Sequence, residues 1–379
     1  MTKNDFSPLP GSTVLRAVSG HKVIVMAANP RIASIAQGIF QAAKDTDSAV
    51  IMELARSECD LKGGYTGLTP QDFSRRMNDA AKEVGFDAWA LHADHISIKK
   101  GDAADVEGTK QLIDAQIAAG YTSFAIDASH LFNFEGKNVR EELDPNIRIT
   151  SDIAHYIKSR MNGKEYGLEV EVGEIGRKDG SGLVLTKPEE AVTFIRALNE
   201  DDVFPHVLAI ANGSTHGHVY DANGNVVEQL SIDIPQTKAI AKALRDNGLP
   251  VGIAQHGITG TPRELINLHF PKGDIIKGNV ATFWQDVVFN TLKVYEPALY
   301  RDIQDWTLEK YRPANPGKSD RQIFDGNCKM AIKEFFKEIY SLEEATEHAI
   351  QSMAYAESLV FFRAFGAYGS ASFVRKSRK

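Results

Sequence analysis

Short apolar runs of strand length alternate with amphipathic stretches of helix length from Lys22 to Val294, and this alternation limits the fold more than any other feature. The apolar runs are Lys22–Ala28, Ala49–Leu54, Ala88–Leu91, Ser123–Asp127, Tyr166–Val172, His206–Ala211, Val251–Gln255 and Asp274–Lys277. Most are apolar on both faces, as strands covered on both sides must be. Helical periodicity fills the gaps, at Ile32–Lys44, Pro70–Val84, Asp105–Ala119, Ser151–Met161, Lys187–Leu198, Ile234–Asn247, a stretch opened by Thr261-Pro262, and Thr282–Val294. Thr69-Pro70 and Thr261-Pro262 put proline at the first helical position, and Gly120 stops the helix before it. Strand and helix in strict turn predict an α/β fold, a parallel (β/α)8 TIM barrel, with a doubly wound sheet as the rival. Placement favours the barrel. His92, Asp94, His95, Asp127, Glu171, His256 and Asn279 fall at or just past the C-terminal ends of the runs, the face on which barrels carry chemistry.

The chain has 379 residues, 43% of them hydrophobic, enough to bury a large core. Tyr300 to Lys379 differs in character: Asp320–Ala364 is mostly helical and amphipathic, behind the loop Arg312–Gly317. The expected organisation is a barrel over residues 1–299 and a helical extension over 300–379 that packs on the barrel or on another subunit. A homodimer or higher homo-oligomer is the expected assembly. A formal net charge of -7 offers no overall attraction to nucleic acid, and the basic end Val374–Lys379 reads as a solvated tail. No apolar stretch reaches the roughly 18 residues that span a bilayer, and Met1–Ser12 lacks the layout of a signal peptide. No membrane partner is therefore expected, and a cytoplasmic location is. The two cysteines, Cys59 and Cys328, suit a reducing compartment and make neither a disulfide framework nor a thiolate cluster.

In Leu91-His92-Ala93-Asp94-His95 a carboxylate stands beside an imidazole where an apolar run ends. Gly213-Ser214-Thr215-His216-Gly217 and Ile253-Ala254-Gln255-His256-Gly257 each lead into His-Gly. A single histidine at a strand end is more often a hydrogen-bonded core residue than a ligand. His95, His216 and His256 on three strands that a barrel brings together point instead to an open metal site. Imidazoles suit zinc best, with cobalt, iron or manganese as other divalent choices. Asp94 reads as a proton carrier beside the metal or as a carboxylate that orients a histidine. Asp127 and Glu171 read as alternate ligands or as groups that orient them. Gly217, Gly257, Thr259, Gly260 and Thr282 lie on turns after the last three strands, where backbone amides bind phosphate or simply make turns. Glu174–Gly182 reads as a lid or an exposed loop.

Taken in order, these motifs resemble the class II, metal-dependent fructose-bisphosphate aldolases and their tagatose-bisphosphate relatives, over roughly Lys22 to Val294. Leu91–His95 is similar to the family's catalytic aspartate and first metal histidine. Ala125-Ile126-Asp127-Ala128-Ser129 resembles its Ile-Asp-x-Ser strand, and Glu169-Val170-Glu171-Val172-Gly173 its Glu-x-Glu-Leu-Gly segment. His216-Gly217 and His256-Gly257 match the other two histidines, and Asn279 the asparagine near the reacting carbons. The resemblance implies reversible cleavage of a ketose phosphate to dihydroxyacetone phosphate and an aldehyde. Fructose 1,6-bisphosphate is the default substrate, with tagatose bisphosphate or a monophosphate as alternatives. It also implies a cation, Zn2+ by default, on His95, His216 and His256 with Glu171 and Asp127 close by, and room for a monovalent cation. Asp94 would move the proton on the hydroxyl of the aldehyde half, and Asn279 would hold the enediolate. Counting from Glu171 makes Asp179 the lid carboxylate, although Gly-Gly-x-Glu-Asp reads Gly176-Arg177-Lys178-Asp179 here. The family's Asn-x-Asp-Thr reads Asn279-Val280-Ala281-Thr282, and its serine after the second strand is Ala55. The basic residue with which the family's extension grips the distal phosphate has no matching motif here, and Arg321 is the candidate.

Two rivals stand beside this reading. Lys277 ends the last apolar run and would serve a Schiff-base mechanism. The departures above also suit a non-catalytic accessory subunit.

Overall fold

Eight parallel strands pair each with its chain neighbour until the last closes on the first. They are β1 (Val25–Ala28), β2 (Val50–Ala55), β3 (Trp89–Ser97), β4 (Ser123–Asp127), β5 (Gly167–Glu171), β6 (Val207–Ala209), β7 (Gly252–Gln255) and β8 (Ile275–Val280). In the computed structural model the described residues are 6–174, 178–179, 182–215, 217–221 and 224–378, with the backbone alone at 178, 179 and 182. The strands are almost wholly buried because helices cover their outer face and side chains fill the interior. The closed sheet settles the choice between barrel and doubly wound sheet. Register decides what shares a level inside it: Glu53 stands opposite His92 and Ala55 opposite Asp94, while Ala27 pairs with Asn279.

Local chemistry accounts for most helix ends. Thr69 and Asp72 form a reciprocal capping box ahead of Pro70–Val84, and Gly85 stops that helix at φ 73°. The larger departures from the sequence reading have physical causes. β3 does not end at Leu91 but runs on to Ser97 through a bulge between Ala93 and Ile96. At the bulge His95 adopts φ 38°, a left-handed conformation, at roughly 1–3 kcal/mol. The helix expected from Ser151 begins at Val139 behind an Asn138 cap and continues through Pro145. β8 extends past Lys277 to Val280, so Asn279 lies within the strand.

The N-terminal stretch, which reads as polar and proline-containing, holds the helix Gly11–Val18, whose Val14, Leu15 and Val18 are buried. It seals the N-terminal mouth of the barrel: Leu9 N donates to Trp89 O at 2.7 Å and Gly11 N to Thr122 O at 2.9 Å. A Cβ on Gly11 would stand 2.5 Å from Ser123, so only glycine lets this helix approach so closely.

The boundary drawn between residues 299 and 300 falls inside the helix Pro297–Tyr311. Beyond it, Glu344–Ala364 lies against Ala36–Asp45 and Thr282–Tyr295. Gly38 permits that approach, since a Cβ there would meet Gln351 O at 2.1 Å. Phe361 is fully buried with its ring centroid 5.2 Å from Phe283 and 5.6 Å from Trp284. Phe361→Ala is expected to lower stability by about 3–5 kcal/mol, read as an earlier urea midpoint at unchanged slope. A loss under about 1 kcal/mol would mean that the extension contributes little to the core. Among the described residues, no helix is long and apolar enough to cross a membrane.

Candidate active site

A cavity of about 370 Å3 opens at the C-terminal end of the barrel and is lined by Asp94, His95, Asp127, Glu171, His256 and Asn279, among others. These side chains, drawn from four strands and the turn after β7, come together because the closed sheet turns every strand end to one mouth. His95 Nε2 lies 3.0 Å from His256 Nδ1. On its other side His95 Nδ1 is 3.1 Å from Glu171 Oε2 and 3.4 Å from Asp127 Oδ2. His256 Nε2 is 3.1 Å from Glu169 Oε1. Candidate ligand atoms of Asp94, His95 and His256 lie within 4.8 Å of one another, as do those of His95, Asp127 and Glu171.

Asn279 Nδ2 donates to Asp94 Oδ1 at 3.1 Å and to Glu53 Oε1 at 2.8 Å. Asp127 accepts from Ser97 at 2.8 Å and from Ser129 at 2.7 Å. His216 lies outside the described residues, although its neighbour Gly217 lines the cavity. Asp179 has its backbone in a two-residue strand paired with Gly182–Leu183, and its side chain is outside the description. Gly257, Thr259 and Thr282 also line the cavity. Gly260 is not among the lining residues, and its carbonyl accepts from Gln229 N at 2.9 Å. That bond holds the turn after β7 to Gln229.

Burial opposes a charged Asp94, but the His95 imidazole and the Lys277 ammonium hold its carboxyl below the ordinary range. Burial and the adjacent Asp127 carboxylate push Glu171 up to about 8. Of the two, Asp94 is therefore the carboxyl that ionises more readily.

The residues present fit a divalent cation. His95 turns Nδ1 to carboxyl groups and His256 turns Nε2 to Glu169, as metal-bound imidazoles do to fix their tautomer. With those nitrogens so engaged, the rings turn His95 Nε2 and His256 Nδ1 towards each other at the cavity, 3.0 Å apart. Two nitrogens on a tetrahedral cation with bonds of about 2.0–2.1 Å stand roughly 3.3 Å apart.

Sequence reasoning missed part of the cavity wall. Glu58 accepts from Asn29 Nδ2 at 2.5 Å, Arg31 Nε at 2.8 Å, Tyr65 OH at 2.7 Å and Ala55 N at 2.7 Å. Arg31 Nη1 also donates to Gln285 Oε1 at 3.0 Å. Lys329, on the turn Cys328–Met330 of the extension, lines the same cavity. Arg321 does not line it. Its side chain is 63% exposed and pairs with Asp325 one helical turn away, so the assignment of the distal grip to Arg321 is corrected. The inward carboxylates Glu53 and Glu169 had one signal in the sequence: a charged residue inside an apolar run, with Glu169 two places before Glu171 and so on the same face of the strand.

A family model for class-II fructose-bisphosphate aldolase matches residues 11–348. The 6-phospho-5-dehydro-2-deoxy-D-gluconate aldolase of Halalkalibacterium halodurans is 30% identical over 186 residues, covering 48% of this chain and 52% of that protein. The D-tagatose-1,6-bisphosphate aldolase subunit GatZ of Salmonella typhimurium is 35% identical over 91 residues, 22% of each. The matches thus span about half the length of the first relative and less than a quarter of the second. A crystal structure of fructose-bisphosphate aldolase from Campylobacter jejuni superimposes with a TM-score of 0.63 at 17% identity, covering 96% of this chain and 97% of that one, a likeness of fold. With a model match over most of its length, a closed barrel and this cluster at the barrel's mouth, the chain belongs to the class-II fructose-bisphosphate aldolase family.

Proposed function

We propose that this protein is a metal-dependent aldolase that reversibly cleaves a ketose bisphosphate, fructose 1,6-bisphosphate by default, to dihydroxyacetone phosphate and an aldehyde. The observation that carries the reading is the convergence of His95, His256 and Asp94 within 4.8 Å in the cavity. His95 and His256 would hold the cation, with His216 as third ligand from its place in the sequence and Glu171 and Asp127 around His95. Zinc is the default. When bound, the cation supplies Lewis-acid polarisation of the ketone and stabilises the negative charge that develops there.

Asp94 enters as a carboxylate and takes the proton from the hydroxyl next to the breaking bond. That hydroxyl carbon becomes the aldehyde, and the bonding pair stays on the ketone half as an enediolate. Protonation of that carbon completes dihydroxyacetone phosphate, a step we assign to Asp179. Asn279 would hold the enediolate, and its amide also donates to Asp94 and Glu53, which keeps Asp94 in line. Gly217, Gly257, Thr259 and Thr282 would receive the phosphate next to the ketone.

The cavity wall around Arg31, whose Nη1 reaches Thr282 Oγ1 at 3.4 Å, and Lys329 argues for a second anion on the substrate. Among the described residues, the Lys329 ammonium makes no hydrogen bond or salt bridge and has only the Tyr65 ring face 5.6 Å away. Burial and the neighbouring Arg31 hold its pKa below the ordinary range. A cation so placed is relieved by an anionic ligand. Lys329→Met is expected to raise KM for a bisphosphate by about 10–100-fold with kcat little changed, the signature of lost uniform binding. Steady-state rates check this, and an unchanged KM would move the second anion elsewhere.

The Schiff-base rival does not suit Lys277, which is fully buried with its ammonium between Glu53 and Glu169. Borohydride with substrate is expected to leave the protein's mass unchanged. The accessory-subunit reading draws on the stretch shared with the tagatose-bisphosphate aldolase subunit. One experiment separates these readings: a panel of ketose mono- and bisphosphates assayed for triose phosphate release, before and after chelation. Release that chelation abolishes and zinc or cobalt restores is expected. Undiminished release from metal-free protein, or turnover only with a second chain present, would sink the proposal.

A further inference from the structure

Below the cavity floor lies a layer of charge that touches no substrate in the chemistry above but reaches the groups that do. Glu53, His92, Glu169 and Lys277 rise from β2, β3, β5 and β8, and none is more than 2% exposed. Lys277 Nζ is the hub, 2.7 Å from Glu169 Oε2, 3.0 Å from Glu53 Oε2 and 3.4 Å from His92 Nε2. His92 is turned towards it by Ser123 Oγ, 2.7 Å from Nδ1. Each carboxylate gives its other oxygen to the site. Glu169 Oε1 meets His256 Nε2 at 3.1 Å, and Glu53 Oε1 accepts from the Asn279 amide that also donates to Asp94. An unbroken chain therefore runs from a candidate metal histidine through Glu169, Lys277, Glu53 and Asn279 to the candidate proton carrier.

Two simpler accounts fall short. A buried ion cluster is a poor source of stability, because well-packed apolar side chains of similar volume do as well or better, and apolar layers are what usually fill a barrel. A second cation site is suggested by Glu53, His92 and Asp94 lying within 4.8 Å of one another. The Lys277 ammonium, 3.0 Å from Glu53 and 3.4 Å from His92, already supplies the positive charge there.

We infer that Lys277 is a positioning residue with two arms: Glu169 fixes the imidazole of His256, and Glu53 fixes Asn279 and Asp94, so that cation site and proton carrier keep one register. This rests on the metal-aldolase reading above. The arms make separable claims. Through Glu169, Lys277 acts on how tightly the cation is held. Through Glu53, it acts on how well the proton carrier is aimed once the cation is in place.

The experiment compares Glu169→Gln, Glu53→Gln and Lys277→Met in the full-length protein. Zinc affinity is measured by competition with a chromophoric chelator, without substrate, and kcat and KM at saturating zinc. Glu169→Gln is expected to weaken zinc binding by about 10–100-fold, with kcat at saturating zinc within about threefold of the parent. Glu53→Gln is expected to keep zinc affinity and KM within about twofold and to lower kcat by about 10–100-fold, as misaimed groups do. Lys277→Met should show both losses. Should Lys277→Met fail to fold, the two isosteric glutamine variants decide the matter alone. Glutamine variants that move both readouts together, or neither, would overturn the inference. Parent protein that binds zinc but cleaves no sugar phosphate would defeat the aldolase reading instead, and the affinity of Glu169→Gln would still decide its arm.

Discussion

Asp94→Asn is expected to lower kcat by about 10²–10⁴-fold, the range in which a positioned general acid–base group contributes, while bound metal stays at the parent level. Asparagine keeps the volume and still accepts the Asn279 hydrogen bond that Asp94 Oδ1 now receives at 3.1 Å. It cannot take up a proton at neutral pH. The change therefore removes the chemistry and leaves the scaffold, and Tm should move little. Paired kcat and metal-content measurements give the answer. A variant retaining more than about a tenth of the parent kcat would mean that some other group moves the proton.

His256→Ala removes one of the two described imidazoles and should release the cation. A metal Lewis acid contributes several kcal/mol, so kcat/KM is expected to fall by about 10³–10⁴-fold at limiting metal. The change leaves Glu169 Oε1, which now meets His256 Nε2 at 3.1 Å, without its imidazole partner. Metal analysis after gel filtration should show loss of stoichiometric zinc. Full retention of zinc together with full activity would place the cation on other residues.

Both expectations rest on residues that were legible in the sequence. Alternation of continuous apolar runs with helical stretches named the barrel, and in a barrel every strand end meets at one mouth, so Asp94, His95, Glu171, His256 and Asn279 could be placed together without coordinates. What was not legible depended on distance or on the inside of the sheet. Lys329 lies in a turn of the extension, and nothing local distinguishes it from Arg321 until the chain folds back onto the cavity. Arg31 and Glu58 meet across the turns after β1 and β2, a pairing set by strand order. Lys277 read as a strand-end lysine because a buried strand cannot be seen to continue through Gly278 and Asn279 from hydropathy alone. The bulge that carries β3 past Asp94 hides in the same way, since polar residues inside a barrel mimic the end of a strand. The helix Gly11–Val18 went unseen because it is short and its apolar side chains plug a mouth that exists only in the closed sheet.

The central claim is that His95 and His256 grip one cation with Asp94 facing it. Crystals grown with cobalt, with anomalous difference density measured at the metal edge, test it most directly. The expected result is a single strong peak within about 2.0–2.2 Å of His95 Nε2 and His256 Nδ1, with a carboxylate oxygen of Asp94 turned to the same space. A peak elsewhere in the barrel, or imidazoles that stay 3.0 Å apart in metal-saturated crystals with no density beside them, would contradict it.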